Sequence, residues 1–546
     1  MRIVVIGAVA AGTSAAAKAR RNDDSAEIVI YEKDKDISYS GCGLPYYIGG
    51  EIESITELTP RDSKFFKKKY NIDIVTSHEV MNINQINKEV TVKDLITGEI
   101  FKDKYDKLVI ATGASSFVPN IKGIDSDQVF FLRNVQNARN IRGFMEQRKP
   151  KNIAIAGTGF IGFEMLENLM AEGINVRIVE KQNKITPNLD EDMAGFLESA
   201  LAKKNIEIMK NTSIIEILED KVILEDGSEI DSDMVIMATG VKPNTLLAKE
   251  MGVEIGVTGA IKVNNKMQTN IKDVYACGDC IETFSLITGS PVYRPLGSTA
   301  NKTGRIAGDV LTGGTLEYRG NLSTGIFKLF DMTIASTGLS EKEAIAEGYE
   351  IVTCHNIKPD KPSYFKGKEM VIKAIADKIT QKLLGVQIVG YEGVDKRIDV
   401  FATLITYGAK VEDLFHLDLA YAPPFSTTKD PVHYTGMILD NALNKNRPII
   451  TAEQAKELVK KGEEIQVVDA RVSRQYDESH VDTAVNIPQD KLREELKNLD
   501  KDILTITYCN KGVTGNAAQN ILINNGFKKV YNLSGGHKFY KATKIK

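Results

Sequence analysis

Cysteine is the residue type of this chain that could carry out sulfur redox chemistry, and Cys42 is the first candidate. Cys42 stands in the segment SYSGCGLPYY, residues 38–47, and the next cysteine along the chain is Cys277. The thiolate form of cysteine is the nucleophile, and its attack on a disulfide gives a mixed disulfide. Because no second cysteine is near it in the sequence, Cys42 is expected to form that bond with an external sulfur compound.

A second candidate is Cys509, in the segment YCNKGVT, residues 508–514. It follows a predicted strand at residues 504–507 and precedes a predicted helix. Free backbone N–H groups and the helix dipole at such a junction stabilise a thiolate or a bound persulfide. Cys509 is therefore predicted to be a reactive cysteine.

The other three cysteines, Cys277, Cys280 and Cys354, are predicted to be structural. Cys277 and Cys280 form a C-x-x-C, but a metal motif of that kind needs a second pair, which the sequence lacks. We therefore expect small packed residues and no metal site. Five scattered cysteines do not form a disulfide framework, and they indicate a reducing compartment, predicted to be the cytoplasm.

Two glycine-rich turns are predicted to hold nucleotides. The run IVVI, residues 3–6, leads into GAVAAG, residues 7–12, then a helical segment and a second strand that ends at Glu32. A pyrophosphate is expected on the helix N-terminus, and the acid 20 residues past Gly12 is placed to bind ribose hydroxyls. Val9 departs from the motif, which has glycine there.

The second turn is a complete G-x-G-x-x-G. The strand IAIA, residues 153–156, precedes GTGFIG, residues 157–162, and a later strand ends at Glu180. Two such motifs in the same strand–turn–helix–strand–acid setting are a strong signal of two dinucleotide folds. A carboxylate at Glu180 repels a 2′-phosphate and so favours NADH over NADPH, although Lys181 and Lys184 can soften that repulsion.

Composition excludes several other classes. The chain has 546 residues, 42% of them hydrophobic, and a formal net charge of −3. This length predicts several domains. The charge balance argues against a nucleic-acid partner, and the lack of an apolar run of about 18 residues argues against a membrane span. The apolar start meets Gly7 early, so we interpret it as a buried strand rather than a leader.

Three further segments carry a resemblance to a known family. They are LVIATG at 108–113, VIMATG at 235–240 and VYACGD at 274–279. With the two glycine turns, they resemble the two-dinucleotide flavoprotein disulfide reductases. The resemblance implies FAD in the first fold, NAD(P)H in the second, Asp279 near the ribityl–phosphate part of FAD, and a homodimer. The residues that it assigns to the cofactors are Gly7, Ala10, Ala11, Gly12, Glu32, Lys33, Val80, Ala111, Thr112, Gly113, Arg133, Gly157, Gly159, Phe160, Ile161, Gly162, Glu164, Glu180, Gly240 and Asp279.

The sequence around Cys42 indicates one branch of that family. The segment around Cys42 has one cysteine, and it resembles coenzyme A-disulfide reductase and its persulfide- and polysulfide-reducing relatives. YFKG at 364–367 and YAPP at 421–424, followed by Lys429-Asp430, support the match, whereas Gly41 replaces the usual asparagine. The resemblance implies that Tyr364 or Tyr421 protonates or stabilises the leaving thiolate. The residues that it assigns to coenzyme A are Ser14, Lys18, Arg21, Ser38, Lys69, Asn301 and Lys429.

After a polar linker near residues 444–450, the last hundred residues resemble a rhodanese domain. The supporting segments are DAR at 469–471, HVDTAVNIP at 480–488 and the loop around Cys509. This resemblance makes Cys509 the candidate carrier of sulfane sulfur. Asn510 and Thr514 stand where the family often has arginine, and Lys511 is the only cation in the loop. An inactive, regulatory rhodanese is the alternative.

The predicted fold class is α/β. It comprises two Rossmann-like FAD- and NAD(P)-binding domains, an α+β dimerisation domain and a C-terminal α/β rhodanese domain. The predicted boundaries are 1–114 with 245–320, then 115–244, 321–445 and 451–546.

The predicted function is FAD-dependent reduction of coenzyme A persulfide, coenzyme A disulfide or polysulfide by NAD(P)H through Cys42. Small coenzyme A thiols, persulfides and polysulfides are the expected partners. Two alternatives stay open. One is an NADH oxidase or peroxidase that cycles its cysteine through a sulfenic acid. The other is a sulfide-responsive sensor.

Overall fold

A computed structural model of the chain describes residues 1–543, and it divides into two compact units. The first contains Met1–Asn183 and Ile208–Asn321, and the second contains Lys184–Glu207 and the chain from Leu322 onward. Of the described helices, none has the length and apolar character needed to cross a membrane. Residues 544–546, the end of the predicted rhodanese domain, lie outside the described part.

The first unit is built around two five-stranded sheets. Parallel strands rich in valine and isoleucine are buried on both faces, as such sheets require. In spatial order, the first sheet contains Val274–Ala276, Lys107–Ile110, Arg2–Ile6, Glu27–Tyr31 and Asp73–Val75. The second contains Ile208–Lys210, Asn175–Glu180, Asn152–Ala156, Met234–Met237 and Val129–Phe131. Both glycine turns follow a strand, as predicted, and each of these strands is the middle one of its sheet.

Smaller sheets and eight α-helices complete the first unit. The antiparallel sheets contain His78–Asn84, Glu89–Asp94 and Ile100–Lys104; Ile214–Ile217, Lys221–Leu224 and Glu229–Asp231; Ala114–Ser116 with Val241–Pro243; and Thr283–Phe284 with Pro291–Val292. The helices are Ala10–Asn22, Leu44–Ile48, Ile55–Leu58, Ser63–Tyr70, Val135–Arg148, Phe160–Ala171, Leu246–Glu250 and Gly297–Val310.

The second unit contains an antiparallel and a parallel sheet. The antiparallel strands, in spatial order, are Gly325–Leu329, Met332–Gly338, Leu383–Gly390, Glu369–Asp377 and Ile351–Pro359. The parallel strands are Ile449–Ile450, Val530–Leu533, Leu504–Tyr508, Ile465–Asp469 and Val485–Asn486. The helices are Glu191–Ala202, Glu341–Ala346, Val394–Thr406, Pro431–Asn444, Ala452–Lys460, Ser473–Glu478, Leu492–Glu495, Val513–Asn524 and Gly536–Ala542. The predicted domain boundaries remain predictions.

A buried lysine joins three segments of the second unit. Lys373, which is 1% exposed, lies on the antiparallel sheet with its Nζ 3.1 Å from Asp190, 2.9 Å from Asp192 and 2.6 Å from Glu341. Burial alone would lower the pKa of Lys373, but the three carboxylates outweigh it and hold the pKa above its usual range. Asp192 also bonds His355 Nε2 at 2.6 Å.

Glycines allow two helices of the first unit to pack at close range. A Cβ at Gly304 would lie 2.3 Å from the carbonyl oxygen of Ala11, and one at Gly308 would lie 2.1 Å from that of Ala15. Helix Gly297–Val310 therefore lies directly against helix Ala10–Asn22. This contact fixes helix Ala10–Asn22, which begins within the first glycine turn.

Gly308→Ala is expected to destabilise the protein, because the new methyl group meets backbone that cannot move aside. Overpacking of this kind costs about 1–3 kcal/mol. The matched control is Gly143→Ala, at a helical glycine where a Cβ meets nothing within 4 Å. Thermal unfolding of both variants tests this, and an unchanged melting temperature for Gly308→Ala would contradict the close packing.

Candidate active site and cofactor folds

The first glycine turn brings the strand, helix and acid together. Gly7 has φ +104°, and a Cβ at Gly12 would lie 1.9 Å from the Gly7 carbonyl oxygen. The Glu32 carboxylate accepts hydrogen bonds from the N–H of Ala8 at 2.7 Å and of Asp34 at 3.0 Å. Only glycine fits at the two tight positions, and the chain thus forms the cradle that an adenine dinucleotide requires.

The second turn repeats the same contacts. Gly157 has φ +105°, and a Cβ at Gly162 would lie 2.0 Å from the Gly157 carbonyl oxygen. Glu180 accepts from the N–H of Thr158 at 3.0 Å and of Gln182 at 2.9 Å. The two turns are thus equivalent in detail, and the residues present fit one dinucleotide at each.

The other predicted FAD contacts gather around the first turn. A Cβ at Gly7 would lie 2.3 Å from the carbonyl oxygen of Ala111, and a Cβ at Gly278 would lie 2.6 Å from the Cβ of Ala11. Asp279, the next residue, forms an ion pair with Arg133 at 2.6 Å. Sequences far apart in the chain therefore meet at one end of the first sheet.

The remaining predicted cofactor residues are spread over loops, helix starts and one strand. Thr112 donates a hydrogen bond to the Asn244 carbonyl oxygen at 2.6 Å. Gly113 and Gly240 have positive φ, of +67° and +104°. In addition, Ala10, Gly159, Phe160 and Ile161 lie where the two helices begin, Lys33 is exposed, and Val80 is buried on the strand His78–Asn84.

Cys42 lies in a short 3₁₀ turn, Gly41–Gly43, that leads into the helix Leu44–Ile48. The residue is exposed, but nearby protein shields its sulfur from water. That shielding raises the pKa of the Cys42 thiol, and the charges of Glu164 and Asp279 raise it further, whereas Arg133 lowers it. Thiolate formation at Cys42 therefore depends first on this burial and then on the balance of the three charges.

Glu164, predicted only as a cofactor contact, has a second property in the structure. Burial, with a smaller effect from Glu167, raises the pKa of Glu164 to about 7. A carboxyl group that titrates near neutral pH can give or take a proton under physiological conditions. Sequence reasoning missed this property, because the shift comes from packing.

The predicted coenzyme A residues of the first unit lie on three helices and one loop. Ser14 donates to Asn301 at 2.8 Å across the close helix pair. Lys18 forms an ion pair with Asp309 at 3.0 Å, and Arg21 follows it as an exposed residue. In addition, Lys69 is exposed on helix Ser63–Tyr70, and Ser38 adopts φ +48° with its N–H donating to the Ala8 carbonyl oxygen at 2.8 Å.

The predicted proton donors belong to the second unit, whereas Cys42 belongs to the first. Tyr364 is 70% exposed in the 3₁₀ turn Ser363–Phe365, and Tyr421 is 48% exposed in a loop. Lys429 is also exposed there. Tyr364, Tyr421 and Lys429 therefore belong to a different unit from Cys42, and their predicted roles remain predictions.

Cys509 occupies the predicted position between strand Leu504–Tyr508 and helix Val513–Asn524. It is buried, and the helix begins after Gly512, whose φ is +96° and which provides no side-chain acceptor for the first N–H groups. Those N–H groups can face an anion at the cysteine. Lys511, the predicted loop cation, pairs with Glu369 of the antiparallel sheet.

The three remaining cysteines are fully buried. Burial raises the pKa of Cys277, Cys280 and Cys354, that of Cys280 to about 11. Such thiols are poor nucleophiles at neutral pH. Within residues 1–543, no group of three or more histidine, cysteine or acidic side chains could hold a metal ion.

Comparison with known protein families accounts for most of the chain. Residues 1–294 match the pyridine nucleotide-disulphide oxidoreductase model, 325–431 its dimerisation domain and 451–543 the rhodanese-like domain. The chain therefore belongs to the pyridine nucleotide-disulphide oxidoreductase family, an FAD- and NAD(P)H-dependent group. The predicted fold class and the predicted resemblance are both confirmed.

Individual relatives are similar over most or all of their length. The NAD(P)H sulfur oxidoreductase (CoA-dependent) of Pyrococcus furiosus is 39% identical, covering 80% of this chain and 99% of its own. An NADH oxidase of Methanocaldococcus jannaschii is 37% identical, covering 82% and 99%. The solved structure of an NAD-dependent persulfide reductase from A. fulgidus has a TM-score of 0.91 and 35% identity, covering 99% of this chain and 100% of that one.

The charges around Cys42 predict opposite shifts for two variants. Glu164→Gln removes a negative charge and should lower the pKa of Cys42, whereas Arg133→Gln removes a positive charge and should raise it. Each shift is expected to be on the order of one pH unit. The pH dependence of iodoacetamide modification at Cys42, followed by peptide mass spectrometry, measures both.

The control for these shifts is Glu172→Gln, an exposed carboxylate that follows the same helix as Glu164. Its modification profile should match the wild type. Coincident profiles for all four proteins would show that neither Glu164 nor Arg133 acts on the Cys42 thiol.

Proposed function

We propose that the protein is a cytoplasmic, homodimeric reductase of coenzyme A persulfide, coenzyme A disulfide or polysulfide that uses NAD(P)H. The observation that carries the proposal is a lone exposed Cys42 in a unit whose other two cysteines are fully buried. Its disulfide partner must therefore come from a substrate. Relatives named as a CoA-dependent sulfur oxidoreductase and a persulfide reductase support this choice.

The two glycine turns assign the cofactors. Bound FAD supplies the redox step that side chains cannot, by accepting a hydride from the nicotinamide and giving an electron pair to sulfur. The turn at residues 7–12, with Glu32, holds FAD, and the turn at residues 157–162, with Glu180, holds the nicotinamide cofactor. A carboxylate at Glu180 would repel the 2′-phosphate of NADPH. We therefore favour NADH over NADPH.

The sulfur chemistry at Cys42 proceeds in two balanced steps. The Cys42 thiolate attacks the carbon-bearing sulfur of the persulfide, which forms a mixed disulfide and releases hydrosulfide. Two electrons and one proton then return the mixed disulfide to the Cys42 thiolate and the free coenzyme A thiol. With coenzyme A disulfide, the first step releases coenzyme A instead.

Two groups are proposed to move the proton. Glu164 exchanges protons near neutral pH, and it acts electrostatically on Cys42 in the same unit. Tyr364 and Tyr421 are exposed on the unit that contains the dimerisation domain. We propose that they approach a leaving thiolate when two chains associate.

The C-terminal domain is proposed to supply or accept sulfane sulfur through Cys509. The rhodanese-like match and the position of the cysteine before a helix support this role. A tethered carrier acts at high effective concentration wherever its linker permits. The inactive alternative predicts no sulfur on Cys509 after exposure to a persulfide.

Substrate turnover of three proteins tests this function. Anaerobic NADH oxidation is measured with coenzyme A persulfide, coenzyme A disulfide and hydrogen peroxide, for wild type, Cys42→Ser and Cys509→Ser. The persulfide should be the best substrate, and Cys42→Ser should abolish its turnover because the unit that contains both glycine turns has no other exposed thiol. Cys509→Ser should still turn over free coenzyme A persulfide.

An NADH oxidase or peroxidase is the second candidate, because the relative from M. jannaschii has the name NADH oxidase. That enzyme class needs Cys42 to cycle through a sulfenic acid rather than a mixed disulfide. Preference for peroxide over both coenzyme A substrates would establish it in place of the reductase.

Arg21→Ala and Lys69→Ala test coenzyme A recognition. Both side chains are exposed cations that can bind the adenosine phosphates, so each variant should raise KM for coenzyme A disulfide by roughly twofold to fivefold, since an exposed ion pair contributes up to about 1 kcal/mol. KM for inorganic polysulfide should not change. Arg148→Ala, an exposed arginine at another helix end, is the control, and equal KM values would reject the assignment.

A further inference from the structure

The loop that begins with Cys509 is joined through its backbone to the start of helix Gly536–Ala542. The N–H of His537 donates to the Cys509 carbonyl oxygen at 2.8 Å, and the N–H of Lys538 donates to the Asn510 carbonyl oxygen at 3.0 Å. These two bonds hold the first turn of the helix against the loop. The side chain of Lys538 therefore starts from backbone that contacts the reactive cysteine.

One carboxylate from another domain binds two lysines of this region. Glu369 begins the strand Glu369–Asp377 of the antiparallel sheet and is half-buried. One of its oxygens pairs with Lys511 of the Cys509 loop, and the other pairs with Lys538. Both lysines lie within the rhodanese-like match, whereas Glu369 lies within the dimerisation-domain match. The charge near the loop is thus set partly by a residue outside the rhodanese-like domain.

The surroundings of Glu369 keep it in its charged form. Burial alone would raise the pKa of Glu369, but the hydrogen bonds from Lys511 and Lys538 outweigh it and hold the pKa below its usual range. The carboxylate is therefore ionised at neutral pH. Its charge offsets part of the positive charge of the two lysines, and each ammonium group uses a hydrogen bond on the carboxylate instead of on a substrate.

The loop itself offers little else to an anionic donor. Lys511 is the only cation of residues 509–514. From the neighbouring strand of the antiparallel sheet, Lys358 interacts electrostatically with Cys509, and it can stabilise the single charge of a persulfide there. A donor with a second negative charge needs further cations, and the lysines beside the loop are already bound to Glu369.

We propose that Glu369 sets the donor preference of the rhodanese-like domain. By pairing with Lys511 and Lys538, it disfavours small dianionic donors such as thiosulfate and leaves Cys509 to persulfides, which have one negative charge on the reacting sulfur. This inference rests on the proposed role of Cys509 as sulfur carrier. The dimerisation domain thus takes part in substrate selection by the domain that follows it.

Two donors that differ in charge load the cysteine by the same reaction. The Cys509 thiolate attacks the outer sulfur of thiosulfate, a bond forms between Cys509 and that sulfur, its bond to the sulfonate sulfur breaks, and sulfite leaves with the bonding electron pair. Methanethiosulfonate reacts in the same way and releases methanesulfinate. It has a methyl group in place of one oxygen of thiosulfate, so its shape is nearly the same but its charge is −1 instead of −2.

The loading of Cys509 from these two donors tests the proposal. Full-length Cys42→Ser protein, with and without Glu369→Gln, is mixed with a low concentration of either donor, and the sulfane sulfur bound to the protein is measured over time by cyanolysis. Removal of the carboxylate charge should raise the loading rate about threefold for methanethiosulfonate. Doubling the donor charge squares that factor, to about tenfold for thiosulfate. Protein with both Cys42→Ser and Cys509→Ser gives the background.

Three further variants of the Cys42→Ser protein separate charge from structure. Glu369→Asp keeps the carboxylate and should retain the ratio of the two loading rates. Glu350→Gln changes an exposed glutamate at the opposite end of the same strand pair, and it should alter neither rate. Lys511→Met, combined with Glu369→Gln, should remove most of the gain with thiosulfate, because that gain depends on the released ammonium group.

The possible results have distinct meanings. No gain in Glu369→Gln, equal factors for the two donors, or a gain that survives Lys511→Met would overturn the role of Glu369. A loss of loading with both donors would overturn it too, because it would show that Glu369 only holds the loop in place. Loading from coenzyme A persulfide, measured in parallel, shows in each case whether the carrier role stands. Failure of every donor to load Cys509 in the parent protein would overturn the carrier role and this inference together.

Discussion

The second unit depends on the ammonium group of Lys373, which is almost completely buried. A buried charge must be paired to be stable, and breaking a buried ion pair so that one charge is left uncompensated costs about 3–5 kcal/mol. Lys373 therefore fixes two helices. It holds the helix Glu191–Ala202 through Asp192 and through Asp190, the residue just before that helix, and it holds a second helix through Glu341. Asp192 passes the constraint on to His355, which bonds Ser534 of the rhodanese-like domain at 3.0 Å. The strand that contains His355 also contains Lys358.

Cys42 and Cys509 differ in the charged groups that act on them. Burial raises the pKa of Cys42, and two carboxylates raise it further, whereas one arginine lowers it. A thiol held near its neutral form is protected from indiscriminate oxidation until substrate and cofactors bind. Cys509 instead interacts with the lysine Lys358. A nearby cation favours a bound persulfide, which is an anion at neutral pH, and this is consistent with the carrier role proposed for Cys509.

Local features of the sequence were sufficient to predict the nucleotide folds. Each glycine turn, its strand and its acid lie within about 30 residues, so spacing alone identifies them. The position of Cys509 between a strand and a helix was predictable for the same reason. The sequence did not allow us to predict the roles of Lys373, Glu369 and Lys358. These roles arise from contacts with residues 100 or more positions away or with another domain. The raised pKa of Glu164 could not be predicted either, because it comes from burial, which no short sequence pattern indicates.

The repeated contacts of Glu32 and Glu180 have a consequence for cofactor engineering. Each carboxylate is both the expected ribose ligand and an acceptor for two N–H groups of its own loop. A designer who replaces Glu180 to admit a phosphate also releases those donors and loosens the turn. Cofactor preference and loop order are therefore coupled at this position. A successful redesign would have to restore an acceptor for Thr158 and Gln182 from elsewhere, and the intact Glu32 loop offers an internal template of what must be kept.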